Sequence, residues 1–515
     1  MRLEGYYEAV RHGQFFPKVL PQMANHYGYA ADLFYPSLLL LPYVFLRFLG
    51  FSYIHSYYGY MFLISLATYG VSYYSIQRIF QQRRIAFFFA VLYTSATYRL
   101  LDQFVRGALG ETLAFIFLPL VLLGVYLIAI KQDGHWKPLA LAMTLILYSH
   151  MITALITVIS IGGFLLYLVV KRRCTWKVLR DLVKAAGTTF LLTCFILLPM
   201  IEQTRYLHFN FAENKQLWGI GLTYSPADLV INSLSNNSDN WSDLAPGVGI
   251  LLILFLGYCM MRFPQFSPRA KALATLGVLY SILSTNLFPW VVFKSSVLSF
   301  IQFNWRILSF STLFLSLALS VVVVEQVRYK GRTMLLLSLA FLSGFSFVTS
   351  SLYHFQQKNV GEITNQTYAD YWTTSIGGGK EYLPVAANYE EIQNNTTDFS
   401  LNGQVSLEQR KERFNSFDYV ASSSKNNLQI LLPKIAYVGY SVKVDGEEVA
   451  VTEKQGLLSV KLPQGTHQLT VTYVGTNLQW VTLMISLLAW GGLLLSVVVN
   501  VPRVAQRLKR KRTLE

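Results

Sequence analysis

Between two apolar runs, Ile85–Thr97 and Thr112–Ile130, the chain carries the polar bridge Tyr98-Arg99-Leu100-Leu101-Asp102-Gln103-Phe104-Val105-Arg106-Gly107-Ala108-Leu109-Gly110-Glu111. It sets two carboxylates, Asp102 and Glu111, beside two arginines, Arg99 and Arg106. A positioned carboxylate can move a proton. A guanidinium is always charged, and its fork of donors matches a phosphate or a carboxylate. Ionisable groups beside a bilayer are costly, so they mark functional sites. The plainer alternative is that the arginines snorkel to lipid headgroups and pair with the two acids. The glycines let this backbone fold tightly.

The elements that must position these residues are apolar helices. Hydrophobic residues make up 53% of the chain and charged residues 14%, where about 25% charged is ordinary for a soluble protein. Apolar runs recur at roughly 56–78, 85–98, 111–130, 138–149, 151–170, 185–200, 248–261, 272–286, 306–326, 333–350 and 478–499. This predicts a multi-span α-helical membrane protein with about eleven spans. The stretch 138–170 is short for two crossings, and His150 sits at its middle, so two short helices are expected to meet there. Leu33–Gly50 carries Pro36, Pro42 and Arg47 and is expected to lie in the membrane interface.

The net charge of +16 does not indicate nucleic-acid binding, because the basic residues fall in short loops between apolar runs. Under the positive-inside rule Arg78/Arg83/Arg84, Lys131/Lys137, Lys171–Lys184, Arg262/Arg269/Lys271, Arg328/Lys330/Arg332 and the tail Arg503–Arg512 are cytoplasmic. The tail also suits contact with anionic lipid. The bridge Arg99–Glu111, His150, the Phe288–Arg306 stretch and the segment Ser351–Leu478 then fall on the outer face. Within that segment, runs at Leu428–Pro433, Tyr440–Val444, Val449–Val451, Leu457–Leu462 and His467–Tyr473 alternate as short strands, with turns at Asp445-Gly446 and Pro463-Gln464-Gly465. They predict a small extracytoplasmic antiparallel β-sandwich near the C-terminus, and Ser351–Ser424 reads as loop-rich. The organisation expected is an outer first-loop region with interfacial helices over 1–54 and a transmembrane domain over 55–350. An extracytoplasmic domain over 351–476 and a last span with a basic tail over 477–515 follow. Cys174, Cys194 and Cys259 lie in or beside predicted spans, so no disulfide framework is expected. There is no P-loop, dinucleotide fingerprint or metal-ligand spacing, and no cofactor is implied.

Several stretches, in order, resemble one group of bacterial membrane proteins. They are Gly13-Gln14-Phe15-Phe16-Pro17, Phe34-Tyr35-Pro36-Ser37-Leu38, Arg106-Gly107-Ala108-Leu109-Gly110-Glu111, Ser149-His150, Gln302-Phe303-Asn304-Trp305-Arg306 and Tyr440-Ser441-Val442-Lys443-Val444-Asp445-Gly446. The group is the one labelled "6-pyruvoyl-tetrahydropterin synthase-related", with its YfhO-type relatives. The wider architecture resembles the GT-C superfamily of membrane glycosyltransferases.

That resemblance implies transfer of a sugar from a polyprenyl-phosphate carrier to a cell-envelope glycan or lipid-linked acceptor. Asp102 and Glu111, with Asp32 as a third carboxylate, are the implied catalytic groups. Arg99, Arg106, His150, Gln302 and Arg306 are the implied contacts to the carrier phosphate and substrate. In the superfamily a catalytic aspartate opens the first outer loop after the first span. Here the sequence starts beyond that point, so the resemblance implies either a further span upstream or a chain lacking that carboxylate. The rival readings are a transporter or flippase of lipid-linked intermediates and a non-catalytic assembly partner. The first predicts polar residues in mid-span and paired broken helices, whereas here the charges cluster at the outer face.

Overall fold

The computed structural model describes the chain except for residues 214–223, 236–245, 294–295, 327–330, 358–363, 378–379, 401–404 and 499–515. The basic tail Arg503–Arg512, and Arg328 with Lys330, lie outside the described residues. The chain divides into two compact units. One comprises Met1–Leu40, Ala186–Glu213 and Gln366–Glu515, and the other Leu41–Ala185 and Asn214–Asn365.

The second unit is helical. Its helices include Tyr53–Phe80, Arg83–Thr94, Leu109–Val125, Lys137–Ser149, Met151–Val170, Ile250–Arg262, Pro268–Leu283, Leu308–Gln326 and Arg332–Gln357. A π-helical stretch, Tyr126–Lys131, extends the third of these. Their starts follow local chemistry. Ser52 and Ser267 cap two of them by accepting the backbone N–H of His55 and Ala270, and Pro268 fills the first turn, where its missing N–H costs nothing. Close packing is set by glycine. A Cβ at Gly124 would lie 2.6 Å from the Leu139 Cα, so only a glycine lets Leu109–Val125 approach Lys137–Ser149 so nearly.

Helices form at each of the eleven expected ranges, but they are not equivalent. Among the described residues five are long and apolar enough to cross a bilayer: Leu109–Lys131, Met151–Val170, Trp176–Tyr206, Asn304–Gln326 and Asn477–Ser496. These mark the chain as a helical membrane protein. Lys137–Ser149 and Ile250–Arg262 have 13 residues each and Arg83–Thr94 has 12, short of the roughly 20 that one crossing needs. Leu33–Gly50 breaks around Pro36, between the helix Ala31–Phe34 and a 3₁₀ turn Leu38–Leu40 that runs into the helix Leu41–Phe48, with Pro42 in its first turn, and neither piece is long enough to cross.

The first unit gathers the first 40 residues, the end of the Trp176–Tyr206 helix and the C-terminal region. Among the described residues eight strands form two antiparallel sheets. They are β1 (Val405–Arg413), β2 (Ser416–Ser423), β3 (Leu428–Ile435), β4 (Tyr440–Val444), β5 (Glu447–Val449), β6 (Thr452–Lys454), β7 (Leu457–Leu462) and β8 (Gly465–Tyr473). One sheet has the order β1-β2-β8-β4-β5 and the other β3-β7-β6. Phe417, Tyr419, Val442, Leu469 and Val471 from the larger sheet share a core with Ile430, Leu432, Val460 and Leu462 from the smaller. The sandwich therefore begins earlier than expected, at Val405, inside the stretch that reads as loop-rich. The Asp445-Gly446 turn forms as expected, with both residues left-handed at φ 50° and 92°.

A second, aromatic core joins the N-terminal stretch to this region. Phe34 stacks on Tyr382 at 4.7 Å, and Phe209, Trp372 and Tyr437 belong to the same cluster. The backbone N–H of Ile435 donates to the Tyr27 carbonyl at 3.0 Å. The helix Asn477–Val498 packs on the end of Trp176–Tyr206, where the Cys194 thiol meets the Ser486 hydroxyl at 3.2 Å. All three cysteines are free.

Candidate functional site

In the second unit the polar bridge forms a short helix, Thr97–Leu100, a π-helical turn, Leu101–Val105, and then the start of Leu109–Val125. π-Helical turns are rare and are found preferentially at functional sites. Gly107 is left-handed at φ 60°, which reverses the chain between the turn and the next helix. This reversal brings Arg106 back over both acids. Arg106 Nη1 donates to Asp102 Oδ1 and, at 3.1 Å, to Glu111 Oε2. The Tyr98 hydroxyl donates to Glu111 Oε1 at 2.8 Å. The acids are almost wholly buried, and 9% of the Arg106 side chain is exposed. Asp102 Oδ2 has no hydrogen-bond partner among the described residues.

Two other elements complete the cluster. Arg306 closes the 3₁₀ turn Asn304–Ile307 and reaches to 3.9 Å from Glu111 Oε2. It donates to Gln302 Oε1 at 2.8 Å and to the Ile301 carbonyl at 3.0 Å, with its guanidinium 5.1 Å over the Phe303 ring. Phe303 in turn stacks on Trp305 at 4.4 Å, giving a pile of indole, phenyl ring and guanidinium. Gln302 is held in the left-handed region at φ 63°, a strained conformation that aims its amide at Arg306. His150 caps Met151–Val170: its Nδ1 accepts the Thr153 N–H at 3.3 Å and lies 2.7 Å from the Thr153 hydroxyl. That acceptor role places the proton of the neutral ring on Nε2. His150 lies within electrostatic reach of Glu111, Arg106 and Arg306.

The structure thus brings Asp102, Glu111, Arg106, His150, Gln302 and Arg306 together in one unit. Arg99 lies within electrostatic reach of Asp102 but gives its hydrogen bonds elsewhere. That side chain is fully buried and donates to the Thr94 carbonyl at 2.7 Å and the Ser65 hydroxyl at 3.1 Å. Ser65 also accepts from Gln103, so Arg99 and Gln103 fasten the bridge to Tyr53–Phe80.

Asn304 and Trp305 carry a signal that sequence reading passed over. Both ends of the buried Asn304 amide and the Trp305 indole N–H lack hydrogen-bond partners among the described residues. Unmet buried polar atoms are rare, and each calls for an explanation such as a ligand. The motif Gln302-Phe303-Asn304-Trp305-Arg306 was legible, but its amide and indole carry no charge to draw attention.

Asp32 belongs to the first unit. It lines a water-sized cavity of about 10 Å³ with Lys18, Tyr6, Ser37 and Phe195. It is buried, with Arg2, Ser37 and Lys18 close by. Burial pushes this carboxyl up to about 6, with Arg2, Ser37 and Lys18 pulling the other way. Burial also brings Lys18 down to about 8, while its ammonium donates to the Phe195 carbonyl at 2.8 Å.

No family model, no curated protein and no solved structure matches the chain.

Proposed function

We propose that the chain is a multi-pass membrane glycosyltransferase of GT-C type, related to the YfhO-type proteins. It takes a sugar from a polyprenyl-phosphate carrier and passes it to an envelope glycan or lipid-linked acceptor on the outer membrane face. The observation that carries this reading is the position of Glu111. It stands among Arg106, Arg306 and His150, beside the starts of helices long and apolar enough to cross a bilayer.

In this reading the acceptor hydroxyl oxygen attacks the anomeric carbon as the carbon–oxygen bond to the carrier phosphate breaks. One carboxylate of the Asp102–Glu111 pair takes the hydroxyl proton. The guanidiniums of Arg306 and Arg106 stabilise the charge that grows on the departing phosphate. The unmet amide of Asn304 and indole N–H of Trp305 supply donors and an acceptor for the headgroup. Asp32 is a further carboxylate candidate in its own cavity. In this reading the five long apolar helices cross the membrane and the β-sheet region lies outside. Transfer from a radiolabelled polyprenyl-phosphate sugar by the purified chain in lipid vesicles tests this, and absence of transfer to any envelope acceptor rejects it.

One observation favours a second reading, a non-catalytic assembly partner. Arg106 already gives its hydrogen bonds to two buried acids, as a structural clamp does.

A further inference from the structure

We infer that the first unit carries a binding site for a single neutral sugar ring, in a groove between the helix Tyr389–Asn394 and the β6–β7 hairpin. The groove encloses about 220 Å³, below the roughly 300 Å³ at which drug-sized pockets begin, so it suits one ring and not an extended ligand. Asn388, Glu391, Thr397 and Gln455 line it with polar groups, and Ile392 and Leu457 with apolar ones.

Both walls are built structures. On one side the Asn388 side-chain oxygen Oδ1 accepts the N–H of Glu390 at 3.1 Å and of Glu391 at 3.4 Å, which starts the helix. The Asn388 amide then donates to Glu391 Oε1 at 2.7 Å and fixes that carboxylate. On the other side Gln455 and Gly456 are both left-handed, at φ 54° and 74°. A Cβ at Gly456 would lie 2.4 Å from the Ala387 Cβ, so the hairpin tip is pressed against the segment that bears Asn388. Gly456 is further tied by its N–H to Glu453 at 2.7 Å and by its carbonyl to the Ala436 N–H at 3.0 Å.

The chemistry of the lining selects the ligand. The Gln455 amide offers donors and an acceptor, Asn388 keeps one amide hydrogen to donate, and Glu391 Oε2 is a second acceptor on a fixed carboxylate. The Thr397 hydroxyl accepts from Tyr27 at 2.9 Å, which leaves its own hydrogen to donate. The described lining holds one acid and no cation, which disfavours phosphates and uronic acids. A neutral polyhydroxylated ring meets all of these requirements. The inference stands on this groove alone and needs no transfer activity.

Saturation-transfer NMR on the full chain in lipid nanodiscs tests it, since sugar-headgroup detergents would compete. The probes are methyl α-glucopyranoside, N-acetylglucosamine and glucuronate. Neutral rings should bind at about 1 mM, and Gln455→Leu should weaken them about tenfold with unfolding unchanged. Glu391→Gln should admit glucuronate, a switch that misfolding cannot produce. Absence of transfer to both neutral rings at tens of millimolar (roughly the weak limit of such sites), or neutral-ring binding unaltered in Gln455→Leu, overturns the inference. So does continued rejection of glucuronate by Glu391→Gln. Failure of sugar transfer in vesicles would leave this result untouched, so the two proposals fail separately.

Discussion

Arg106 holds Glu111 at 3.1 Å and, through the same nitrogen, holds Asp102 as well. One guanidinium therefore restrains two buried acids that would otherwise repel each other. Removing it as Arg106→Leu takes the shared cation from two buried acids, and the expected cost is about 3–5 kcal/mol. Glu111→Gln keeps its shape and should cost less, about 1–3 kcal/mol. Thermal unfolding of the two variants in lipid nanodiscs gives the order directly. Equal effects would show that Arg106 does not act as the shared clamp.

Asn304 makes the opposite prediction. Its amide is buried with both ends unmet among the described residues, so the fold gains little from its polarity. Replacing it by leucine should leave the unfolding temperature unchanged or raise it, while weakening headgroup binding. A fall in stability comparable to that of Arg106→Leu would mean that Asn304 serves the fold.

Asp32 gives stability a pH dependence with a definite sign. Its carboxyl rises from 3.8 to about 6 on folding, so the folded state holds its proton more tightly. Stability is then full below pH 3.8, falls as pH rises towards 6, and levels off above. Lys18, lowered from 10.5 to about 8, acts in a separate window, with stability recovering as pH rises from 8 to 10.5. Unfolding temperature measured against pH should lose its acid-side slope in Asp32→Asn and keep the alkaline one. An unaltered acid-side slope in that variant rejects the assignment to Asp32.

Gly124 tests the helix packing that carries the bridge. Any side chain there meets the Leu139 backbone, so Gly124→Val should cost about 1–3 kcal/mol through overpacking. Gly163, with nothing within 4 Å of its added Cβ, is the control and should tolerate alanine. A neutral Gly124→Val would show that these two helices are not so closely packed.

Parts of this arrangement were legible in the sequence because they depend on local chemistry. The break at His150 was read from helix length, and the structure adds that the imidazole itself caps the next helix. The Asp445-Gly446 turn follows from two residues that tolerate a left-handed backbone. The destination of Arg99 was not legible. The π-helical turn Leu101–Val105 shifts the helical phase, so residue spacing alone does not say which arginine hydrogen-bonds the acids. Strand β1 was missed because it is an edge strand whose exposed face is highly charged, as Glu408, Arg410, Lys411 and Glu412 show. β2 does alternate, through Phe417, Tyr419 and Ala421, and could have been found. That Tyr27 bonds to Ile435 rests on tertiary contacts that no local pattern reports.

The transfer assay bears most directly on the central claim. The purified chain in vesicles is given a radiolabelled polyprenyl-phosphate sugar and an envelope acceptor, and wild type is compared with Glu111→Gln, Asp102→Asn and Arg306→Gln. The account predicts transfer by wild type, a loss of about 10²–10⁴-fold in at least one carboxylate variant, and a loss in Arg306→Gln, all with the fold retained. Undiminished transfer in both carboxylate variants would contradict it.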